Sequence, residues 1–127
     1  MSISDAVTTV FSKYATFAER AGRSEFWLWI LAYIISLLVA GTIDGAIVAP
    51  LLGFEIFEQG AGQPLSLILV LGLFLPNIAV AVRRLHDINR SGWWLLVVLV
   101  PFIGALILIY WYAQPSQIGT NRYGESV

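Results

Sequence analysis

The sequence predicts an all-α integral membrane protein with three transmembrane helices preceded by an amphipathic N-terminal helix. The 127 residues are 58% hydrophobic and 12% charged, whereas soluble domains are about 25% charged. Three uncharged stretches are long enough to span a bilayer, and the segments between them differ in their content of Lys and Arg. Because a chain of this length has room for one domain, we expect residues 1–127 to form a single membrane domain.

The first predicted element is an amphipathic helix over residues 2–20. Apolar residues recur at helical spacing from Ile3 to Tyr14, and Ser2 and Asp5 have the spacing of a capping box. Such a helix can lie on the inner leaflet of the membrane. It can equally pack on a cytoplasmic loop of the same protein or enter the groove of a partner, and the sequence leaves these alternatives open.

Three predicted transmembrane helices follow, at residues 26–48, 65–82 and 93–112, and residues 113–127 form a polar tail. Uncharged runs of roughly 18 to 20 residues reach about 27–30 Å as helices, which is the thickness of the hydrocarbon core. The third stretch contains Pro101 and Gly104, which also permit a hairpin that enters the membrane and returns. Each arm of a hairpin would be too short to cross, so we favour a straight crossing.

The distribution of basic residues predicts the orientation. Six of the seven Lys and Arg residues precede the first span or lie in the loop at 83–92, and the seventh is Arg122 in the tail. The positive-inside rule therefore places the N-terminus in the cytoplasm and the tail in the periplasm. Aromatic residues at the ends of the spans suggest the same boundaries: Trp27, Trp29, Trp93 and Trp94 inside, and Tyr110, Trp111 and Tyr112 outside.

Composition and spacing argue against catalysis and metal binding. The absence of cysteine excludes disulfides and thiolate chemistry. His86, the single histidine, is adjacent to Asp87, but neighbouring residues on a helix do not face one another as an acid–base pair. A second histidine for a metal site is lacking, and the basic excess is too small for a nucleic-acid surface. We expect a protein that is not an enzyme and that uses no cofactor or metal.

Four short segments of the chain form a recognisable set. They are FAERAGRSEFW at 17–27, RRLHDINRSGWW at 83–94, PFIG at 101–104 and GTNRYG at 119–124. Together, and in this order, they resemble the DUF805 family over nearly the whole chain. One departure is Glu19, where the family usually has glycine before the arginine. The resemblance implies a small, multi-pass bacterial inner-membrane protein, and it implies no reaction, substrate or catalytic residue.

We interpret the charged and aromatic residues at the inner membrane boundary as a structural collar. If the second helix continues past residue 82, Arg83 and Asp87 are four residues apart and can pair on one face, which leaves Arg84 for Glu25. Arginines without a carboxylate partner should bind anionic lipid headgroups on the cytoplasmic side. The collar comprises Arg20, Arg23, Glu25, Arg83, Arg84, His86, Asp87, Arg90, Trp93 and Trp94.

Two polar residues within the spans separate the candidate functions. Asp44 is expected to reach the outer headgroups, whereas a buried Asp44 would suggest an ion or proton site. Asn77 follows a proline in mid-span and needs a partner on another helix. The favoured role is a small structural or accessory subunit that packs against a larger membrane complex or its own copies. The alternative is a small oligomeric transporter or channel that uses Asp44 and Asn77.

Overall fold

The computed structural model describes all 127 residues and is all-helical, which confirms the predicted class. A π-helical segment at Asp44–Val48 joins the second and third α-helices, and 3₁₀-helices occupy Gln59–Ala61 and Gly92–Leu99. The chain divides into two compact units, residues 1–29 with 75–127 and residues 30–74. The α-helices are α1 (Ile3–Ser12), α2 (Arg23–Ile43), α3 (Ala49–Leu51), α4 (Pro64–Asp87) and α5 (Ile103–Tyr112).

Two continuous helical stretches are long and apolar enough to cross a membrane. The first, Arg23–Leu51, has 29 residues, and its most apolar 18 residues have a mean hydropathy of 2.2. The second, Pro64–Asp87, has 24 residues, and the corresponding value is 2.5. They contain the first two predicted spans, 26–48 and 65–82, and extend beyond both of them. The extension of α4 is important for the site, because it makes the charged segment after residue 82 helical.

The third predicted span, 93–112, is not a single helix. A 3₁₀-helix ends at Leu99, the chain turns through Pro101 and Phe102, and α5 begins at the next residue. Phe102 has a φ of 61°, a left-handed conformation that interrupts a right-handed helix. The rings of Trp94 and Trp111 are 5.6 Å apart, so the two ends of the segment lie together. The predicted single straight helix is therefore wrong, and residues 93–112 fold back on themselves as a hairpin.

Gly104 allows the two arms of this hairpin to touch. A Cβ atom at this position would lie 1.7 Å from the carbonyl oxygen of Val97 on the first arm, so only glycine fits. Each arm is about 15 Å long, about half of a 30 Å hydrocarbon core. Arms of this length suit a hairpin, because a chain that turns back inside the hydrocarbon core leaves on the side from which it entered, and neither arm spans the full core.

α1 is shorter than the predicted helix 2–20, but its N-terminus forms as predicted. The Ser2 hydroxyl accepts a hydrogen bond from the Asp5 N–H, and the Asp5 carboxylate accepts one from the Ser2 N–H, both at 3.1 Å. The Ser2 backbone bond is the main reason that the pKa of Asp5 is lowered. Ala6 and Val10 are fully buried. One face of α1 therefore packs on the protein itself, as one of the three alternatives for this helix requires.

Candidate functional site

The last turn of α4 carries the charged part of the longest motif, and these charges are buried. Arg83, Arg84 and Asp87 are all 0% exposed. Buried charges are costly unless they are paired and hydrogen-bonded. Their charged partners come from the chain before α2 and from its first turn. We call this group of five residues the ion network: Arg20, Glu25, Arg83, Arg84 and Asp87.

Asp87 is the centre of the ion network. Its Oδ1 accepts a hydrogen bond from Nε of Arg20 at 2.9 Å, and its Oδ2 accepts one from Nη1 of Arg84 at 2.7 Å. Arg20 precedes α2 in the sequence and Asp87 is the last residue of α4. The carboxylate therefore ties two distant parts of the chain together while neutralising part of the charge of each guanidinium.

Arg83 pairs with Glu25 in the first turn of α2. Its Nη1 donates to Oε2 of Glu25 at 2.6 Å, and both side chains are buried. The expected partners are thus exchanged, because Arg83 was predicted to bind Asp87 and Arg84 to bind Glu25. Both assignments are wrong because Arg84 reaches Asp87 at the i,i+3 spacing, while Arg83, one residue earlier, projects about 100° away around α4.

The polar tail completes the ion network through its backbone. Arg20 donates to three tail carbonyls at 2.6–3.2 Å, and Arg84 donates to two carbonyls at the junction of α5 and the tail. The tail therefore lies against residues from the N-terminal segment and α4, whereas the sequence-based prediction separated them by the membrane. The accepting carbonyls are those of Gln117, Gly119 and Gly124 for Arg20, and of Tyr112 and Gln114 for Arg84.

His86 makes packing contacts and faces away from the carboxylate beside it. Its Nδ1 lies 3.1 Å from the carbonyl oxygen of Glu19, and its ring stacks on Tyr123 at 3.9 Å with an interplanar angle of 2°. Its own carbonyl accepts a hydrogen bond from the side chain of Asn121 at 3.0 Å. Because the oxygens of Asp87 are bound by arginines, the two neighbouring residues do not form an acid–base pair.

The other predicted arginines and tryptophans of the collar lie outside the ion network. Arg23 and Arg90 have no carboxylate within 4.0 Å, and the same holds for Arg122 in the tail. Trp93 is 79% exposed and Trp94 is 49% exposed. The predicted collar therefore separates into two groups, a buried ion network and a rim whose cations have no anionic partner in the chain.

The sequence-based prediction missed the tail residues of this site. Backbone carbonyls accept most of the hydrogen bonds there, and a carbonyl has no sequence signature because every residue carries one. The motif GTNRYG at 119–124 was the one available signal. It supplies the stacking ring of Tyr123, the Asn121 amide and two acceptors for Arg20.

Asp44 occupies a different position from the one predicted. It is 1% exposed, and its carboxylate accepts hydrogen bonds from the N–H of Leu65 at 2.9 Å and from the N–H and hydroxyl of Ser66, both at 2.8 Å. The first N–H groups of a helix have no partner within that helix. Asp44 thus caps the N-terminus of α4 as a buried residue, whereas the sequence-based expectation was a side chain that reaches the outer headgroups.

Asn77 finds its partner on α2. The indole N–H of Trp29 donates to its side-chain oxygen at 2.7 Å. Trp29 is 2% exposed and packs within the protein, whereas the prediction counted it among the boundary aromatic residues. The predicted outer boundary at Tyr110–Tyr112 assumed a straight crossing, whereas α5 folds back so that Trp111 meets Trp94 near the start of the hairpin.

Comparisons with known proteins agree with the motifs. The chain matches the family described as "Protein of unknown function (DUF805)" over residues 14–125. Inner membrane protein YhaH of Escherichia coli K12 is 42% identical over 91% of this chain and 89% of its own. Inner membrane protein YhaI of the same strain is 39% identical over 92% of this chain and 90% of its own. No solved structure matches.

These relatives are named for their location, and two helices of this chain can cross a membrane. Three of the four motifs that carry the resemblance supply the ion network and its cover, and the fourth, PFIG, forms the turn of the hairpin. The chain is therefore an inner-membrane protein, and it belongs to the DUF805 family.

Proposed function

We propose that the protein is a non-enzymatic integral membrane protein that serves as a small structural or accessory subunit. The observation that carries this proposal is that the buried charged side chains of the motif are bound by other residues of the same chain. A catalytic acid or base must be within reach of a substrate proton, whereas both oxygens of Asp87 are bound by arginines. The motif is thus suited to holding the chain together. The proposed partners of the protein are a larger membrane complex or further copies of the chain.

The proposed orientation places both termini and the segment at 83–92, from the end of α4 to the start of the hairpin, in the cytoplasm. The N-terminal segment, the 83–92 segment and the tail carry all seven Lys and Arg residues of the chain. The connection between α3 and α4, residues 52–63, carries none and contains Glu55 and Glu58. The hairpin thus makes the charge asymmetry larger than three crossings would, and the positive-inside rule favours a cytoplasmic tail.

Cysteine labelling tests this orientation cleanly, because the chain has no cysteine of its own. Ser4→Cys, Glu58→Cys and Ser126→Cys are made singly and treated with a maleimide that does not cross the inner membrane. We expect only Glu58→Cys to react in intact cells, and the other two to react after the membrane is opened. Reaction of Ser126→Cys in intact cells would contradict the cytoplasmic tail.

Exposed apolar side chains on the long helices support the accessory role. Leu38 on α2 and Leu71 on α4 are each 67% exposed. In a membrane such residues meet either lipid or the helices of other proteins. Photo-crosslinking residues at 38 and 71 should give protein adducts in cells, whereas one at the buried Ala79 should not. Adducts with lipid alone at both exposed positions would contradict the accessory role.

A small transporter or channel has less support. Its path was expected to use Asp44 and Asn77, yet the carboxylate of Asp44 accepts three hydrogen bonds at the start of α4. The side-chain oxygen of Asn77 is similarly engaged by an indole N–H. An ion would have to displace these bonds, so both residues fit a structural role better.

A further inference from the structure

An apolar groove of about 540 Å³ lies beside α4, within the unit that contains the ion network. One wall is a single face of the helix, because Ile78, Val82 and His86 are four residues apart and form a strip about 12 Å long. The opposite wall is the first arm of the hairpin, through Leu95 and Leu96. Its volume lies in the range of ligand sites, about 300–1,000 Å³.

The groove has one apolar end and one polar end. Ile78 lies in the uncharged part of α4, whereas His86 lies next to the ion network in the last turn. The hairpin arm begins against the helix at Gly92, where a Cβ atom would lie 2.8 Å from the Val82 side chain. This close contact fixes the arm beside α4.

A cation without an anionic partner lies near the polar end. His86 lines the groove and stacks on Tyr123 at 3.9 Å, and the guanidinium of Arg122 lies 5.0 Å from the centre of the same tyrosine ring. Arg122 is exposed, and its one hydrogen bond is a long one to the carbonyl of Asn89 at 3.3 Å. An arginine in this state presents donors that match a phosphate.

We propose that the groove holds one acyl chain of an anionic phospholipid from the surrounding bilayer, and that Arg122 binds its phosphate. The proposal rests on the cytoplasmic placement proposed above for residues 83–92, which puts the polar end of the groove at the inner face of the membrane. A peptide segment is a poorer occupant, because its backbone N–H and C=O groups would find few partners along an apolar wall. An acyl chain carries no polar groups, and its headgroup emerges at the end where the cation lies.

Native mass spectrometry of the full chain in detergent tests the site, with phosphatidylglycerol and phosphatidylcholine as probes. We expect one phosphatidylglycerol to bind before any other lipid. Ile78→Trp and Leu96→Trp fill the groove from opposite walls and should weaken that first binding about tenfold, or 1.4 kcal/mol. Ile68→Trp, at an exposed apolar position of α4 outside the groove, is the matched control and should bind normally.

The headgroup is tested separately with Arg122→Gln. This variant should lose the preference for phosphatidylglycerol over phosphatidylcholine while still binding one lipid. Normal first binding by both tryptophan variants would overturn the groove, and an unchanged preference in Arg122→Gln would overturn the phosphate contact. If Ile78→Trp does not fold, Leu96→Trp decides, because Leu96 is 57% exposed. A tryptophan variant that loses a second copy of the chain rather than a lipid would also overturn the proposal.

These outcomes are independent of the accessory role. That role is tested by crosslinking at residues 38 and 71, neither of which lines the groove. Failure of the lipid site therefore leaves the crosslinking result standing, and the reverse holds as well.

Discussion

The three arginines of the ion network use different fractions of their hydrogen-bonding capacity. Arg20 and Arg84 each donate from Nε and from both Nη atoms. Arg83 donates from Nη1 to Glu25, and its buried Nε and Nη2 have no hydrogen-bond partner. Two of the arginines therefore depend on the shape of the guanidinium, whereas Arg83 supplies chiefly a charge.

This difference predicts that replacing each arginine by lysine will change the Tm to different extents. Arg83→Lys retains a cation for Glu25 and removes two nitrogens without partners, so its Tm should change little. Arg20→Lys and Arg84→Lys each lose hydrogen bonds to backbone carbonyls, because lysine has one side-chain nitrogen where arginine has three. Each of these two variants should lower the free energy of unfolding by about 2 kcal/mol or more. Thermal unfolding of the three variants in one detergent measures this, and an equal loss of Tm in all three would contradict it.

Asp87 should be the most sensitive carboxylate in the chain. Asp87→Asn leaves two buried guanidinium groups without their shared anion, and breaking a buried pair costs about 3–5 kcal/mol. Glu19→Gln is the control, because Glu19 pairs with Lys13 at the surface and such pairs contribute at most about 1 kcal/mol. We expect Asp87→Asn to aggregate at a lower temperature than Glu19→Gln, and similar aggregation temperatures would mean that Asp87 is not structural.

At the scale of elements, the sequence predicts helices well where length and composition determine them. Arg23–Leu51 and Pro64–Asp87 correspond to the first two predicted spans, because a long uncharged run in a membrane satisfies its backbone as a helix. Residues 93–112 pass the same test of length. Their hairpin depends on the positive φ of Phe102 and on the contact of Gly104 with Val97, which hydropathy does not record.

Gly104 should therefore control the hairpin. Gly104→Ala would place a methyl group against the Val97 carbonyl and separate the arms, so the Tm should fall. Gly72→Ala is the matched control, because a Cβ atom there meets nothing within 4 Å. Alanine in a helix interior is favoured over glycine by about 0.5–1 kcal/mol, so Gly72→Ala should equal or exceed the native Tm. A similar Tm for both alanine variants would show that the arms are not in close contact.

At the scale of the whole molecule, the sequence identified the charged residues of the site but not their arrangement. The boundary location and the need of buried arginines for partners follow from composition and from the membrane setting. Which arginine binds which carboxylate depends on the rotation of α4, and a motif does not specify that angle. The role of the tail could not be predicted, because it depended on the path of the hairpin before it.

Truncation should separate the parts of the tail. A chain that ends at Gln114 loses all three tail carbonyls that bind Arg20, whereas a chain that ends at Glu125 keeps them. We expect the shorter chain to accumulate poorly and to aggregate on extraction, and the longer one to resemble the full-length protein. Equal yields and aggregation temperatures for the two chains would contradict a structural role for residues 115–124.

The dependence of Arg20 on the tail also has a consequence for biosynthesis. The carbonyls of Gln117 and Gly124 lie 97 and 104 residues after Arg20 in the chain. A ribosome therefore makes the arginine long before its acceptors, and the nascent protein must insert both long helices while this side chain remains without them. The final closure of the fold must then follow the synthesis of the last residues, and a polypeptide released early would expose unsatisfied charge to the proteases that clear unfinished membrane proteins.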